Sequence, residues 1–175
     1  MLMRALFLGR FQPFHCGHLR VVKEIAKKTE YLVIAMGSAQ YSHSKENPFT
    51  SGERYTMISR TLNAEGIKNY HIVTLEDIHR YAVWVAHVVS HTPKFDVVYA
   101  HNPLSIRLFK EGGFEVVELE LYKPELYSGT EIRRRMLAKE DWKNLVPKDV
   151  AEVIIEINGL SRLKELASKG MIPDE

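Results

Sequence analysis

Apolar runs and amphipathic stretches alternate along this chain. Met3–Leu8 is a short apolar run that stops at Gly9, the pattern of a strand buried in a parallel sheet. Between His18 and Lys28, the residues Leu19, Val22, Ile25 and Ala26 recur at helical spacing, with Lys23, Lys27 and Lys28 on the other face. Tyr31–Met36 repeats the strand pattern and ends at Gly37, and a polar loop follows through Asn47-Pro48. Thr50 stands three residues before Glu53, a capping-box signature for a helix that carries Tyr55, Ile58 and Leu62 and ends near Gly66. Tyr70–Leu75, Phe95–Ala100 and Val116–Leu121 predict further strands. Ala82–His91, closed by Pro93, and Leu104–Lys110, ended by Gly112-Gly113, predict the helices between them. Ser128 with Glu131 reads as a second capping box, opening a helix over Gly129–Ala138. Pro147 opens another, with Val150, Val153, Ile154 and Ile157 inward and Gly159 at its end, and Leu160, Leu163 and Leu166 predict a last short helix.

Strands alternating with helices imply an α/β fold: a doubly wound parallel sheet with a helical C-terminal end. The 175 residues fit a single domain, with an α/β core over about 1–140 and C-terminal helices over about 147–170. No internal repeat, linker or low-complexity segment interrupts it. In such sheets ligands bind outside the carboxyl ends of the strands, near the point where the strand order reverses. The loops after Leu8, Met36, Leu75 and Ala100 are therefore the places to look for chemistry.

Composition narrows the class. Hydrophobic residues at 45% and charged residues at 26% are those of a folded globule rather than a disordered chain. Lys+Arg 24 against Asp+Glu 22 gives a net charge of +2, too mild to imply a polyanion, and no nucleic acid partner is expected. One cysteine permits no internal disulfide, which fits a reducing cytosol. The longest apolar stretches, Tyr31–Met36 and Ala82–Val89, are too short to span a bilayer, and Ala5–Leu8 before Gly9-Arg10 is no secretory signal. A soluble, cytoplasmic protein with no membrane partner is the expectation.

The unusual residues lie in the expected loops. After the first strand comes Gly9-Arg10-Phe11-Gln12-Pro13-Phe14-His15-Cys16-Gly17-His18, which is neither a Walker loop nor GxGxxG. It sets two imidazoles three residues apart at a helix N-terminus, where free N–H groups and the helix dipole favour an anion. Gly17 between them lets backbone approach a ligand closely, and Arg10 adds a fixed positive charge. Zinc held by His15, Cys16 and His18 is a second reading, but it crowds three ligands onto one turn and lacks a paired C-x-x-C. Late in the chain, Tyr127-Ser128-Gly129-Thr130-Glu131-Ile132-Arg133-Arg134-Arg135 places three arginines in the first turns of a helix. A helix favours basic charge at its other end, so these arginines call for an anion, and Arg133 is the one aimed at a phosphate.

HxGH near the N-terminus and the late serine-threonine-arginine signature resemble the nucleotidylyltransferase superfamily. The ordered set goes further: GRFQPFHCGH, Gly37-Ser38-Ala39-Gln40, Ser42-His43-Ser44, Asn47-Pro48-Phe49-Thr50, Gly52-Glu53-Arg54, Trp84-Val85 and SGTEIRRRM. In this order they resemble the archaeal-type nicotinamide mononucleotide adenylyltransferase family, from Met3 to about Leu166. The resemblance implies a Rossmann-like nucleotidylyltransferase fold. It also implies transfer of AMP from ATP to nicotinamide mononucleotide, giving NAD and pyrophosphate. It assigns His15, His18, Arg133 and Arg10 to catalysis, and Gly9, Phe11, Gln12, Gly17, Asn102, Ser128, Gly129 and Thr130 to ATP. It assigns Gly37, Ser38, Lys45, Asp77, Ile78, Trp84 and Val85 to the nicotinamide nucleotide. Mg2+ or another divalent cation would come with ATP, bound mainly through phosphates, so no all-protein metal site is expected. A homo-oligomer is implied, and no fused hydrolase domain is expected.

The chain departs from the family pattern at three places. Glu46 stands where a basic residue is common, with Lys45 one place earlier; Ala100-His101-Asn102 replaces Ser-Gly-Asn; and Tyr81 replaces an asparagine. Trp84 keeps two readings, a core aromatic or a platform for the nicotinamide ring. The alternatives in function are the same chemistry on phosphopantetheine or flavin mononucleotide, and a non-catalytic nucleotide sensor.

Overall fold

The computed structural model describes residues 3–169 and gathers them into two compact units. The first holds Arg20–Ala39, Ile67–Tyr122 and the N-terminal stretch through Arg10; the second holds Phe11–Leu19, Gln40–Gly66 and the chain from Lys123 onward.

The first unit is built on a parallel sheet. Its strands are β1 (Arg4–Gly9), β2 (Tyr31–Met36), β3 (Tyr70–Thr74), β4 (Val97–Ala100) and β5 (Glu115–Glu118), in spatial order β3-β2-β1-β4-β5. Every pairing is parallel, with Leu6 opposite Val33 and Phe7 opposite both Ile34 and Tyr99. The order turns back between β1 and β4, which puts the switch point at their carboxyl ends. The central strands are the continuous apolar runs of the sequence: Leu32–Met36 and Val97–Ala100 are buried throughout. Of the edge strands β3 is half-buried and β5 largely exposed, and β5 stops at Glu118 instead of running on to Leu121, which is 55% exposed. Arg4 clips the starts of β1 and β4 together. Its guanidinium donates to both Asp96 carboxylate oxygens at 2.9 and 2.8 Å, and its backbone N–H adds a third bond at 3.0 Å.

Helices α3 (Tyr81–His91) and α4 (Pro103–Glu111) belong to this unit, as does α1 (Cys16–Lys28) from Arg20 onward. Leu6, Val33, Val98, Val88, Phe95 and Phe109 form its core. Asn102 caps α4 by accepting from the N–H groups of Leu104 and Ser105, with Pro103 at the first helical position where its missing N–H costs nothing.

The second unit is helical apart from its loops: the first turn of α1, then α2 (Ser51–Ala64), α5 (Gly129–Ala138), α6 (Lys148–Glu156) and α7 (Gly159–Lys169). The Thr50–Glu53 capping box is complete, each side chain meeting the other residue's backbone N–H. Met57, Ile58 and Leu62 turn inward from α2 toward α6, whereas Tyr55 lies 49% exposed. Val150, Val153 and Ile154 are buried as expected; Ile157 is the half-buried C-cap of α6, and Gly159 opens α7 rather than closing α6.

The Ser128 box is only half formed. Its hydroxyl accepts from the Glu131 N–H, but the Glu131 carboxylate turns to the guanidinium groups of Arg134 and Arg135 instead of the cap backbone. Two cations within a turn attract a carboxylate more strongly than a neutral amide does. Among the described residues, no helix is long and apolar enough to cross a membrane.

Candidate active site

The second unit brings the HxGH turn and the start of α5 together. His15 and His18 stack face to face, ring centroids 3.5 Å apart and planes 20° from parallel. Each backbone N–H donates to the other ring: His15 N–H to Nδ1 of His18 at 3.2 Å, and His18 N–H to Nδ1 of His15 at 3.3 Å. An Nδ1 that accepts cannot carry the proton, so each neutral ring carries it on Nε2. Phe11 meets the His18 ring edge-on at 4.8 Å and Phe14 stacks on it at 5.5 Å, so His18 has little room to turn. His15 is buried and His18 half-buried.

Gly17 also lies close against the protein's own side chains. A Cβ there would lie 3.0 Å from Cβ of Tyr127 and 3.1 Å from Nδ1 of His15. A side chain there would press on both neighbours, because Tyr127, just before α5, lies against the first turn of α1. Two helix N-termini thus adjoin within this unit, and their partial positive charges add. Cys16 lies in the same turn, half-buried and without a disulfide.

Arg133 is 9% exposed, and its Nη1 donates to the backbone carbonyl of Gln12 at 2.6 Å. Gly129 makes this approach possible: a Cβ on it would stand 2.8 Å from the Gln12 carbonyl oxygen and 2.9 Å from Nη1 of Arg133. Gln12 in turn commits its side-chain amide to Phe49, donating to the carbonyl at 2.8 Å and accepting from the N–H at 3.1 Å.

The three arginines that the sequence left without anions separate. Arg134 pairs with Glu131 and Glu140, and Arg135 with Glu131. Hydrogen bonds from Arg134 and Arg135 hold the Glu131 carboxyl down to about 2, so it is ionised at neutral pH. Their anions are the protein's own, and Arg133 is the one set into the turn. Thr130 is exposed beside it, and Lys45 and Glu46 are exposed on their loop.

The first unit holds the remaining predicted residues. Gly9 ends β1 and accepts from the Gly37 N–H at 3.0 Å; Arg10 follows, exposed. Ser38 sits buried in the left-handed region at φ 52°, its hydroxyl donating to the Asp77 carboxylate at 2.7 Å. These residues follow β1, β2 and β3 at their carboxyl ends, where the topology leads one to look. Ile78 is half-buried next to Asp77, and His101 and Asn102 are exposed after β4. Trp84 and Val85 pack against the core of the sheet unit, the indole meeting Phe109 at 5.3 Å in an edge-on contact. Tyr81 is exposed at the first residue of α3.

Sequence reasoning missed Phe49, Glu53 as more than a cap, and Arg162. Arg162 donates to both Glu53 oxygens at 2.7 and 2.8 Å and to the Pro48 carbonyl at 3.1 Å. No spacing rule could have found a pair 109 residues apart.

A parallel sheet with its switch point at β1, followed by paired imidazoles and a buried arginine at adjoining helix N-termini, defines a nucleotide-handling α/β protein. The chain belongs to the cytidylyltransferase-like family, whose sequence model matches residues 6–135, and within it to the nicotinamide-nucleotide adenylyltransferases. It is 54% identical over 172 residues to the nicotinamide-nucleotide adenylyltransferase of Archaeoglobus fulgidus, covering 95% of this chain and 99% of that one. The same enzyme of Methanolobus tindarius is 54% identical over 164 residues, with 94% of each chain covered. Among solved structures, a bifunctional NMN adenylyltransferase/ADP ribose pyrophosphatase from Francisella tularensis, complexed with AMP and a manganese ion, superposes with a TM-score of 0.78 at 23% identity. The match covers 97% of this chain but 53% of that one, so this chain spans about half its length.

Proposed function

We propose that this protein is the adenylyltransferase that joins ATP and nicotinamide mononucleotide. One oxygen of the mononucleotide's 5′-phosphate attacks the α-phosphorus of ATP. The bond from that phosphorus to the β-phosphate bridging oxygen breaks, and NAD and pyrophosphate result. The attacking phosphate monoester is mostly dianionic at neutral pH, since its second pKa is about 6. No side chain needs to take a proton, and the work reduces to alignment and to stabilising charge that builds on the phosphates.

The observation that carries this reading is the locked histidine pair. With both Nδ1 atoms occupied by backbone N–H groups, His15 and His18 are fixed as Nε2 donors, the form that meets a phosphate oxygen. Their fixed orientation costs no reorganisation when charge develops. Arg133, Ser128, Gly129 and Thr130 serve the ATP phosphates beside them, with Phe11, Gln12 and Gly17 shaping the turn. Gly9 and Asn102 are also read as ATP-binding residues, and Arg10 as the catalytic residue for the acceptor or transferring phosphate. Gly37, Ser38, Asp77, Ile78, Trp84 and Val85 take the nicotinamide nucleoside, and Lys45 its phosphate in place of the basic residue that Glu46 displaces.

Mg2+ or another divalent cation would come with ATP, held mainly through its phosphates. There it would neutralise phosphate charge; the histidines and Arg133 hold the oxygens it leaves. A homo-oligomer in the cytoplasm completes the reading, and light scattering on the purified chain tests the first part.

The test is pyrophosphate release from ATP with each of four acceptors: nicotinamide mononucleotide, its deamidated form, phosphopantetheine and flavin mononucleotide. Release with the first is expected. Release only with one of the last two would replace the acceptor, and ATP binding without release would make the protein a sensor.

A further inference from the structure

A line of hydrogen bonds within the second unit leads from α7 to Arg133. Three consecutive residues, Pro48, Phe49 and Thr50, are each held by a different side chain. Arg162 donates to the Pro48 carbonyl at 3.1 Å, Gln12 takes both backbone groups of Phe49, and Glu53 accepts from the Thr50 N–H at 2.9 Å. Arg162 also grips Glu53 with both terminal nitrogens, in the parallel two-bond geometry that fixes orientation as well as distance. Burial by itself would raise the Glu53 carboxyl, but hydrogen bonds from Arg162 and Thr50 outweigh it and hold it below the ordinary carboxylate range. The α7 backbone takes part too. A Cβ on Gly159 would lie 3.0 Å from the Phe49 ring, so α7 begins directly against that residue.

Each link leaves little slack. Pro48, Phe49, Gln12 and Arg133 are all buried, and the bond from the Arg133 guanidinium to the Gln12 carbonyl is 2.6 Å. A close-packed interior passes on a displacement rather than absorbing it. A shift of Pro48–Thr50 would move the Gln12 amide, and with it the carbonyl that aims the guanidinium.

We propose that Arg162 is a positioning residue for Arg133: through Glu53, the Pro48–Thr50 segment and Gln12, the C-terminal helix sets the arginine that receives the ATP phosphates. The inference rests on the reading of Arg133 given above. The role proposed for Arg162 requires no contact with substrate. A purely structural arginine would lower stability without caring whether Arg133 is present; a positioning arginine acts on ATP only through it.

The experiment is a double-mutant cycle on the full chain. ATP affinity is measured by calorimetry without acceptor, both Michaelis constants and kcat by pyrophosphate release, and Tm by thermal melting. Arg162→Met is expected to weaken ATP roughly 3- to 10-fold, the size of a coupling between residues of one network, with the acceptor KM held within about twofold. In the Arg133→Ala background the same change should leave ATP affinity where it was, while Tm falls equally in both backgrounds. An equal loss of ATP affinity with and without Arg133, or a fall in Tm with ATP unaffected, would overturn the proposal. Arg162→Lys keeps a donor and a charge but cannot span both Glu53 oxygens; it carries the same comparison if the methionine variant does not fold. Because calorimetry reads ATP without turnover, a wild-type protein that binds ATP and releases no pyrophosphate would defeat the proposed reaction and leave this coupling still measured.

Discussion

His15 and His18 hold one another: their rings stack at 3.5 Å, and each backbone N–H is bonded to the other's Nδ1. Three residues apart on one turn, they act as a single unit, so removing one ring also releases the other. His18→Ala is therefore expected to lower turnover at least ~100-fold, since one transition-state donor is worth about 2.7–4 kcal/mol. Tm should change little, because His18 is only half-buried. Steady-state kinetics with circular dichroism check both parts; near-normal turnover in a folded variant would remove the pair from the chemistry.

Gly129 separates close approach from mere flexibility. Gly129→Ala places a methyl against the Gln12 carbonyl and Arg133, and neither the backbone oxygen nor the buried guanidinium can yield easily. Overpacking of this kind costs about 1–3 kcal/mol. Tm should fall accordingly, and ATP affinity should fall at least ~5-fold as the arginine is displaced, by the conversion of about 1.4 kcal/mol per tenfold. A melting curve and an ATP titration decide it. Unchanged ATP affinity would mean that Arg133 does not depend on its bond to Gln12.

Trp84 packs edge-on against Phe109 and remains half-buried, so both of its readings make predictions. Base–aromatic stacking is worth about 1–3 kcal/mol, which corresponds to about 5- to 150-fold in affinity. Trp84→Ala should raise the acceptor KM within that range, hold the ATP KM, and lower Tm through the lost contact with Phe109. Trp84→Phe should recover much of both. Equal weakening of the two substrates would leave Trp84 as a core aromatic alone.

The Arg4–Asp96 clip predicts a pH dependence. Hydrogen bonds from the Arg4 side chain and backbone lower the Asp96 carboxyl from 3.8 to about 2. A lowered carboxyl contributes stability that is fully present above its unfolded value of 3.8 and is lost as pH falls through that value toward about 2. Asp96→Asn should therefore melt below the wild type at pH 7, and the gap should close progressively below about pH 4. A constant gap from pH 7 to pH 3 would show that the carboxylate charge is not what holds the strands' starts together.

The sequence by itself determined the elements and named the candidate site residues. Period-two and period-3.6 patterns depend on neighbours within a turn or two, so β2 came out at its observed bounds and α1, α2 and α5 within a few residues. The Thr50 box was legible for the same reason, and HxGH because its two histidines lie on one turn. What the tertiary structure decided was the partner of each charged or polar group. Glu131 was within reach of both its cap and two arginines, and the stronger ionic bonds won. Of three adjacent arginines, only Arg133 points into the buried turn, because Gly129 and the Gln12 carbonyl, from opposite ends of the chain, meet there. Gln12 finds Phe49 37 residues away, and Arg162 finds Glu53 109 residues away. Such bonds are set by how helices pack, and burial makes them obligatory, because a buried polar group left unpaired costs about 1–3 kcal/mol. Periodicity along the chain holds no record of which distant group answers it.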